Sequence, residues 1–220
     1  MLIRIAIDGP AGSGKSTMAK IIANKLKINY LDSGALYRII GYYCVKNNID
    51  LEDKKSIKDI LPQIKIDLKD HKYFLNDEEI SEQIRNAESG NYASMVAKVP
   101  EVREKINQIL RTMSQEMSTV IDGRDIGTVV IPDAEIKIFL TASVEERAKR
   151  RYDELSEKGK KVDYKSILEQ IIFRDKADSS RSIAPLKPAE EAIKINTTNM
   201  DIEEVTKKII EIIKEKNYGN

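Results

Sequence analysis

Residues 9 to 17 read Gly9-Pro10-Ala11-Gly12-Ser13-Gly14-Lys15-Ser16-Thr17, a match to Gly-x-x-x-x-Gly-Lys-[Ser/Thr]. Upstream, Ile3, Ile5 and Ile7 alternate with Arg4, Ala6 and Asp8, the pattern of a short buried strand. Downstream, Ala19, Ile22, Ala23 and Leu26 recur at helical spacing. The stretch therefore joins a strand to a helix N-terminus. In that setting its glycines let successive backbone N–H groups turn toward one anion, and the positive end of the helix adds to the attraction. Lys15 supplies a point charge for β- and γ-phosphates, and the Ser16 hydroxyl can ligate Mg²⁺. A Gly-rich turn that only caps a helix is the plainer alternative; the correct flanks favour a phosphate cradle for ATP or GTP.

The chain has 220 residues, enough for one domain with appendages or small insertions. Its 37 basic and 36 acidic residues leave a net charge of +1, which argues against a nucleic-acid-binding surface but permits a local basic pocket for a phosphorylated small molecule. Cys44 is the only cysteine, so no intramolecular disulfide can form. The single His71, in an expected turn at Asp70-His71, excludes multi-histidine metal sites and leaves little room for histidine catalysis. The N-terminal apolar run is too short for a signal peptide, and no stretch reaches the length of a membrane span. These features predict a soluble, cytoplasmic protein without membrane or nucleic-acid partners.

After a second strand ending at Tyr30-Leu31, Asp32-Ser33-Gly34 can turn the chain and cap a helix whose apolar face is Leu36, Ile39, Ile40, Tyr43 and Cys44. Tyr37 and Arg38 fall off that face beside Ser33. An N-cap accounts for Ser33, and a solvated charge for Arg38, as readily as a site does. A helix over Lys54–Leu61 stops at Pro62, and alternation through Ile64, Ile66, Leu68, Tyr73 and Leu75 predicts a small antiparallel sheet from 63 to about 86. A helical stretch through Ser94 and Met95 and a long helix opened by Pro100, carrying Val102, Ile106, Leu110, Met113 and Met117, follow.

Thr119–Ile121 predicts a strand ending at Asp122, followed at once by Gly123-Arg124-Asp125-Ile126-Gly127-Thr128. Ligands of open parallel sheets bind at the carboxyl ends of strands, which makes these two carboxylates and one arginine site candidates. Ile136–Leu140 predicts the next strand, and Ser143 with Glu146 a capping box. Arg147, Arg150 and Arg151 crowd the helix behind it, as a solvated face or as a mobile lid whose guanidiniums close over phosphates. A helix over residues 165 to 181 carries Arg174, Asp175, Asp178 and Arg181; a strand at Ile193 and Ile195 and a helix capped by Asp201 complete the chain.

The combination GPAGSGKST, DSGALYR, DGRDIGTVV, ERAKRR and RDKADSSRSIAPL, with an antiparallel insertion after the second helix, closely resembles bacterial cytidylate kinases from residue 3 to about 188. The resemblance implies an α/β fold: a P-loop parallel sheet with helices on both faces, a small antiparallel insertion and a helical lid. It implies a single kinase domain, with core 1–32, 88–146 and 182–220, a monophosphate-binding segment 33–87 and a lid with its following helix 147–181. It further implies a monomer that transfers the γ-phosphoryl of ATP to CMP or dCMP with Mg²⁺.

Carried over by motif, Ser33, Tyr37 and Arg38 line the CMP site, with Arg38 on its phosphate. Ser94, Arg103 and Asp125 meet the cytosine, and Arg124 meets phosphate. Arg174, Asp178 and Arg181 hold ribose and phosphate, and Arg147, Arg150 and Arg151 belong to the lid, on the ATP side. Lys176, Ala177, Ser179 and Ser180 stand where relatives often carry further acidic and arginine residues. On this reading Lys15, Arg124 and Arg151 act on the transferring group, and Asp122 is a candidate to hold a metal-bound water beside Ser16. No strong base is needed, because a monophosphate oxygen is already anionic. Two alternatives are a P-loop kinase for UMP or a hydroxylated metabolite, and a GTP-dependent switch. The chain has no Asn-Lys-x-Asp sequence to read guanine, which weighs against the switch.

Overall fold

The computed structural model describes residues 2–69, 72–86 and 88–218, so the turn expected at Asp70-His71 lies outside the described residues. Along the chain, β1 (Arg4–Asp8), α1 (Lys15–Leu26) and β2 (Asn29–Asp32) are followed by α2 (Ser33–Lys46) and α3 (Lys54–Ile60). Three short strands come next, β3 (Ile66–Lys69), β4 (Lys72–Leu75) and β5 (Glu78–Glu79), then α4 (Ser89–Val96) and α5 (Pro100–Glu116). The remainder is β6 (Thr119–Gly123), β7 (Ile136–Thr141), α6 (Val144–Glu157), α7 (Tyr164–Ser179), β8 (Ile193–Asn196) and α8 (Ile202–Tyr218). Two compact units result. One comprises the chain up to Leu31 and from Ser114 on, the other Asp32–Met113.

The first unit is built on a five-stranded sheet in the order β2-β6-β1-β7-β8. Central β1 pairs in parallel with β6 and β7, and β7 with β8. Successive residues Ile5, Ala6 and Ile7 are all buried, as are Val120 and Ile121, the continuous apolar pattern of strands covered on two faces. Ala19, Ile22 and Ala23 of α1 and Val205, Ile209 and Ile213 of α8 pack in one cluster with the sheet's isoleucines. Full burial of each large aliphatic side chain contributes about 1.5–3 kcal/mol. The start of α8 is fixed by a reciprocal capping box: Glu204 N–H donates to Asp201 Oδ1 at 2.8 Å, and Asp201 N–H to Glu204 Oε2 at 2.9 Å. Because the paired strands run parallel, β1, β6, β7 and β8 all deliver their carboxyl ends, and the loops that follow, to one edge.

In the second unit β3, β4 and β5 form the antiparallel sheet expected from the alternation, with Ile66 opposite Leu75 and Leu68 opposite Tyr73. The two-residue connection Asn76-Asp77 has φ of 48° and 69°, the primed turn geometry that suits a tight hairpin. Asp32, not Ser33, caps α2: its carboxylate accepts the Ala35 N–H at 2.9 Å, and Ser33 is the first helical residue, buried. Leu36, Ile39, Ile40 and Cys44 of α2 are buried as the helical spacing requires. Among the described residues no helix is long and apolar enough to cross a membrane.

Candidate active site

The loop between β1 and α1 is shaped by close approach and by backbone handedness. A Cβ at Gly9 would lie 2.1 Å from the Leu140 carbonyl oxygen, so only glycine lets the loop pass the end of β7. Gly14, the N-cap of α1, sits at φ 85°, a left-handed conformation that costs an L-residue about 1–2 kcal/mol. As a glycine it offers no side-chain acceptor to the first turn of α1, whose N–H groups and dipole face the loop. Lys15 is buried and reaches back along the loop, its Nζ donating to the Pro10 carbonyl at 3.2 Å. Ser13 and Pro10 are buried too, whereas Gly12 and Thr17 are exposed.

Beside the loop, Ser16 Oγ donates to Asp122 Oδ2 at 2.6 Å and the Tyr30 hydroxyl donates to Asp122 Oδ1 at 2.7 Å. Asp122 is buried near the end of β6. One hydroxyl and one carboxylate suit Mg²⁺, which keeps most of its waters and binds through substrate phosphates. Among the described residues no group of three or more His, Cys, Asp or Glu comes together.

The chain leaving β6 turns at once into a π-helical turn, Ile126–Val130, with the buried Asp125 as its N-cap. Arg124 Nε donates to Asp178 Oδ2 at 2.8 Å, and Arg181 Nη2 pairs with Asp178 Oδ1. One carboxylate, its side chain 3% exposed, thus fixes two guanidiniums that are each 16% exposed. Burial pushes the Asp178 carboxyl up, but the positive charges of Arg124 and Arg181 outweigh it and hold it below its ordinary value. Asp178 stays ionised. Arg174, one turn back along α7, adds to the same positive field.

The three arginines of α6 occupy three different environments. Arg147 is buried: Nε donates to Ala142 O at 3.0 Å, Nη1 to Ala11 O at 2.9 Å, and Nη2 meets Asp175 Oδ2 at 2.6 Å. It braces the phosphate loop, the end of β7 and α7 together. Arg150 bonds Glu146 and both Oγ1 and the carbonyl of Thr197, at 3.0 and 2.7 Å. Arg151 is 46% exposed and pairs with its helical neighbour Glu154. Helical spacing alone does not separate these three, because it does not say which guanidinium finds backbone carbonyls.

In the second unit the Arg103 guanidinium lies over the Tyr37 ring, 5.7 Å from its centroid, with Arg103 buried. Arg38 Nη2 pairs with Asp32 Oδ2 at 2.7 Å, so Asp32 both caps α2 and orients the arginine six positions on. Ser94 Oγ donates to Gly90 O at 3.0 Å within α4. Sequence reasoning misses one functional candidate. Asp8, in sequence only the polar member of an alternating strand, is 3% exposed and accepts the N–H groups of Ile126 at 2.9 Å and Gly127 at 2.8 Å. The signal that could have found it is an acid at the last strand position, directly before the phosphate loop.

The family profile described as Cytidylate kinase matches residues 5–215. A cytidylate kinase of Thermosipho melanesiensis is 52% identical over 216 residues, covering 98% of this chain and 99% of that protein. One from Fervidobacterium nodosum is 52% identical over 217 residues, covering 98% of each. Among solved structures, an uncharacterized protein from Eubacterium ventriosum superposes with a TM-score of 0.55 at 17% identity, over 96% of this chain and 98% of that one, a likeness of fold alone. With its phosphate loop, its hydrogen-bonded Ser16–Asp122 pair and its full-length similarity to these proteins, the chain belongs to the cytidylate kinase family.

Proposed function

We propose that the protein transfers the γ-phosphoryl group of ATP to CMP or dCMP, giving ADP and CDP or dCDP. The observation that supports this reading is a second cluster of guanidiniums in the same unit as the phosphate loop: Arg124 and Arg181 held by the ionised Asp178, which we read as the place of a second phosphate. A nucleotide hydrolase or switch needs one phosphate cradle. A kinase for a phosphorylated acceptor needs two.

In this reading residues 9–17 bind the ATP phosphates, with Lys15 on the group in flight. Arg147 braces the loop from behind, and Arg150 and Arg151 serve the ATP side. Ser16, and through water Asp122, would hold Mg²⁺, which would supply charge neutralisation for the ATP phosphates. Arg38, Arg124, Arg174 and Arg181 receive the acceptor phosphate, and Asp178 orients Arg124 and Arg181 and meets the ribose. Ser33, Tyr37, Ser94 and Arg103 of the second unit, and Asp125 of the first, are the candidate contacts to the nucleoside. Holding both nucleotides in line and compensating charge accounts for most of the catalysis expected of such a site. The three-part division into core, monophosphate-binding segment 33–87 and lid 147–181 belongs to the same proposal. So does a role as a cytoplasmic monomer in pyrimidine nucleotide metabolism.

The test is incubation with γ-labelled ATP and CMP followed by separation of the products. Label recovered in CDP supports the assignment. Label released only as inorganic phosphate, at a rate indifferent to CMP, contradicts it.

A further inference from the structure

Asp8 is the last residue of β1 and directly precedes Gly9, where the phosphate loop begins. Its carboxylate is buried, an expensive placement for a charge. Both oxygens are engaged by backbone: Oδ1 accepts the Ile126 N–H and Oδ2 the Gly127 N–H. Those two groups open the Ile126–Val130 turn and belong to the set that a helical turn cannot satisfy internally. A planar carboxylate can accept two consecutive N–H groups side by side, whereas a serine, threonine or asparagine side chain presents only one acceptor atom.

The consequence lies in what stands between. In the sheet register Asp8 is the partner of Gly123, the last residue of β6. The chain then passes through Arg124 and Asp125 and returns, at Ile126 and Gly127, to the side chain of the same Asp8. Arg124 and Asp125 therefore form a two-residue span clamped at both ends by one residue, through its backbone on one side and its carboxylate on the other. That residue also leads into the phosphate loop. Displacement of reacting groups by about 1 Å can cost on the order of a hundredfold in rate.

We propose that Asp8 is a positioning residue for phosphoryl transfer: its carboxylate fixes the Arg124–Asp125 span at a set offset from the phosphate loop, and so aligns acceptor with donor. The inference rests on the reading of Arg124 and Asp125 as acceptor contacts. Asp8 itself touches neither nucleotide in this arrangement.

The experiment compares Asp8→Asn with the wild type at pH 8, measuring kcat and the KM of ATP and CMP separately, with amide hydrogen exchange on both. The expected result is a kcat lower by about tenfold to a hundredfold and a raised KM for CMP, with the KM for ATP within about threefold of wild type. Exchange at Ile126 and Gly127 should quicken selectively. A folded variant with wild-type kcat and CMP KM overturns the inference. So does a loss spread equally over ATP and CMP with a lowered melting temperature, which marks a merely structural role. Should Asp8→Asn not fold, exchange in the wild type decides: Ile126 and Gly127 amides should be strongly protected, and exchange as fast as at an exposed loop overturns the clamp. A wild type that makes no CDP would instead sink the kinase reading, so the two failures are distinguishable.

Discussion

The Ser16 hydroxyl donates to the Asp122 carboxylate at 2.6 Å across 106 positions of sequence, joining the first turn of α1 to the end of β6. The parallel pairing of β1 with β6 brings these residues to one edge, and the Tyr30 hydroxyl on the other carboxylate oxygen fixes the group's orientation. In the proposed function this contact is the place of the Mg²⁺ ion.

Ser16→Ala should raise the Mg²⁺ concentration for half-maximal turnover by about tenfold or more, the usual effect of losing a ligand or its support. Chelation of Mg²⁺ should abolish turnover of the wild type. Melting temperature should change by no more than about 4 °C, since Asp122 keeps its bond to Tyr30. A Mg²⁺ titration identical to that of the wild type would contradict the placement.

Arg147 and Arg151 should separate stability from turnover. Arg147→Ala removes a buried guanidinium from two carbonyls and Asp175, and should lower unfolding free energy in urea by about 2–3 kcal/mol. Arg151→Ala, at an exposed pair, should cost about 0.5 kcal/mol or less yet lower kcat. Equal stability losses in the two variants would return them to a single class.

Burial raises the Asp8 carboxyl to about 7, even though the Gly127 and Ile126 N–H groups pull it down. Between about pH 4 and 7 the folded chain thus holds a proton that the unfolded chain has released, so the site's contribution to stability declines as pH rises across that window and levels off above 7. Asp125 reinforces the upward shift and Lys15 opposes it. Relative to Asp8→Asn, the wild type should lose about 2–3 kcal/mol of unfolding free energy between pH 5 and 8. Parallel stability curves for the two proteins would refute the shift.

Cytosine presents an N4 amino donor where uracil presents an O4 acceptor, and an ionised carboxylate only accepts hydrogen bonds. If Asp125 reads that edge, CMP should exceed UMP in kcat/KM by roughly ten- to a hundredfold from this contact, and Asp125→Asn should compress the ratio. A variant that lowers both values by the same factor would move base selection to Ser94, Arg103 or the shape of the pocket.

What the sequence made legible follows the range of the interactions. The phosphate loop, its flanking strand and helix, the antiparallel insertion and the helix caps at Ser143 and Asp201 are local patterns, and the structure has them where the spacing places them. The capping box expected at Ser143 is half formed, because the Ser143 N–H donates to Thr198 Oγ1 and the Glu146 carboxylate accepts from Arg150 instead. The exchange of Asp32 for Ser33 as the cap of α2 is a one-residue matter that a run of two capping residues leaves open. The π-helical turn after Asp125 is different in kind. Its sequence, Ile126-Gly127-Thr128-Val129-Val130, is rich in β-branched residues, and its first N–H groups are satisfied by Asp8 from 118 and 119 positions away. No local pattern encodes that bond. The same holds for Arg147, whose carbonyl partners at Ala11 and Ala142 meet only once β1 and β7 pair.

The most direct measurement is a coupled assay of ADP formation from ATP and Mg²⁺ with CMP, dCMP, UMP, AMP or no acceptor, giving kcat/KM for each. Transfer to a cytosine monophosphate predicts fast turnover with CMP or dCMP, UMP lower by roughly tenfold or more from the cytosine contact, and only slow hydrolysis without an acceptor. Equal rates across the panel, or a clear preference for UMP or AMP, would contradict it.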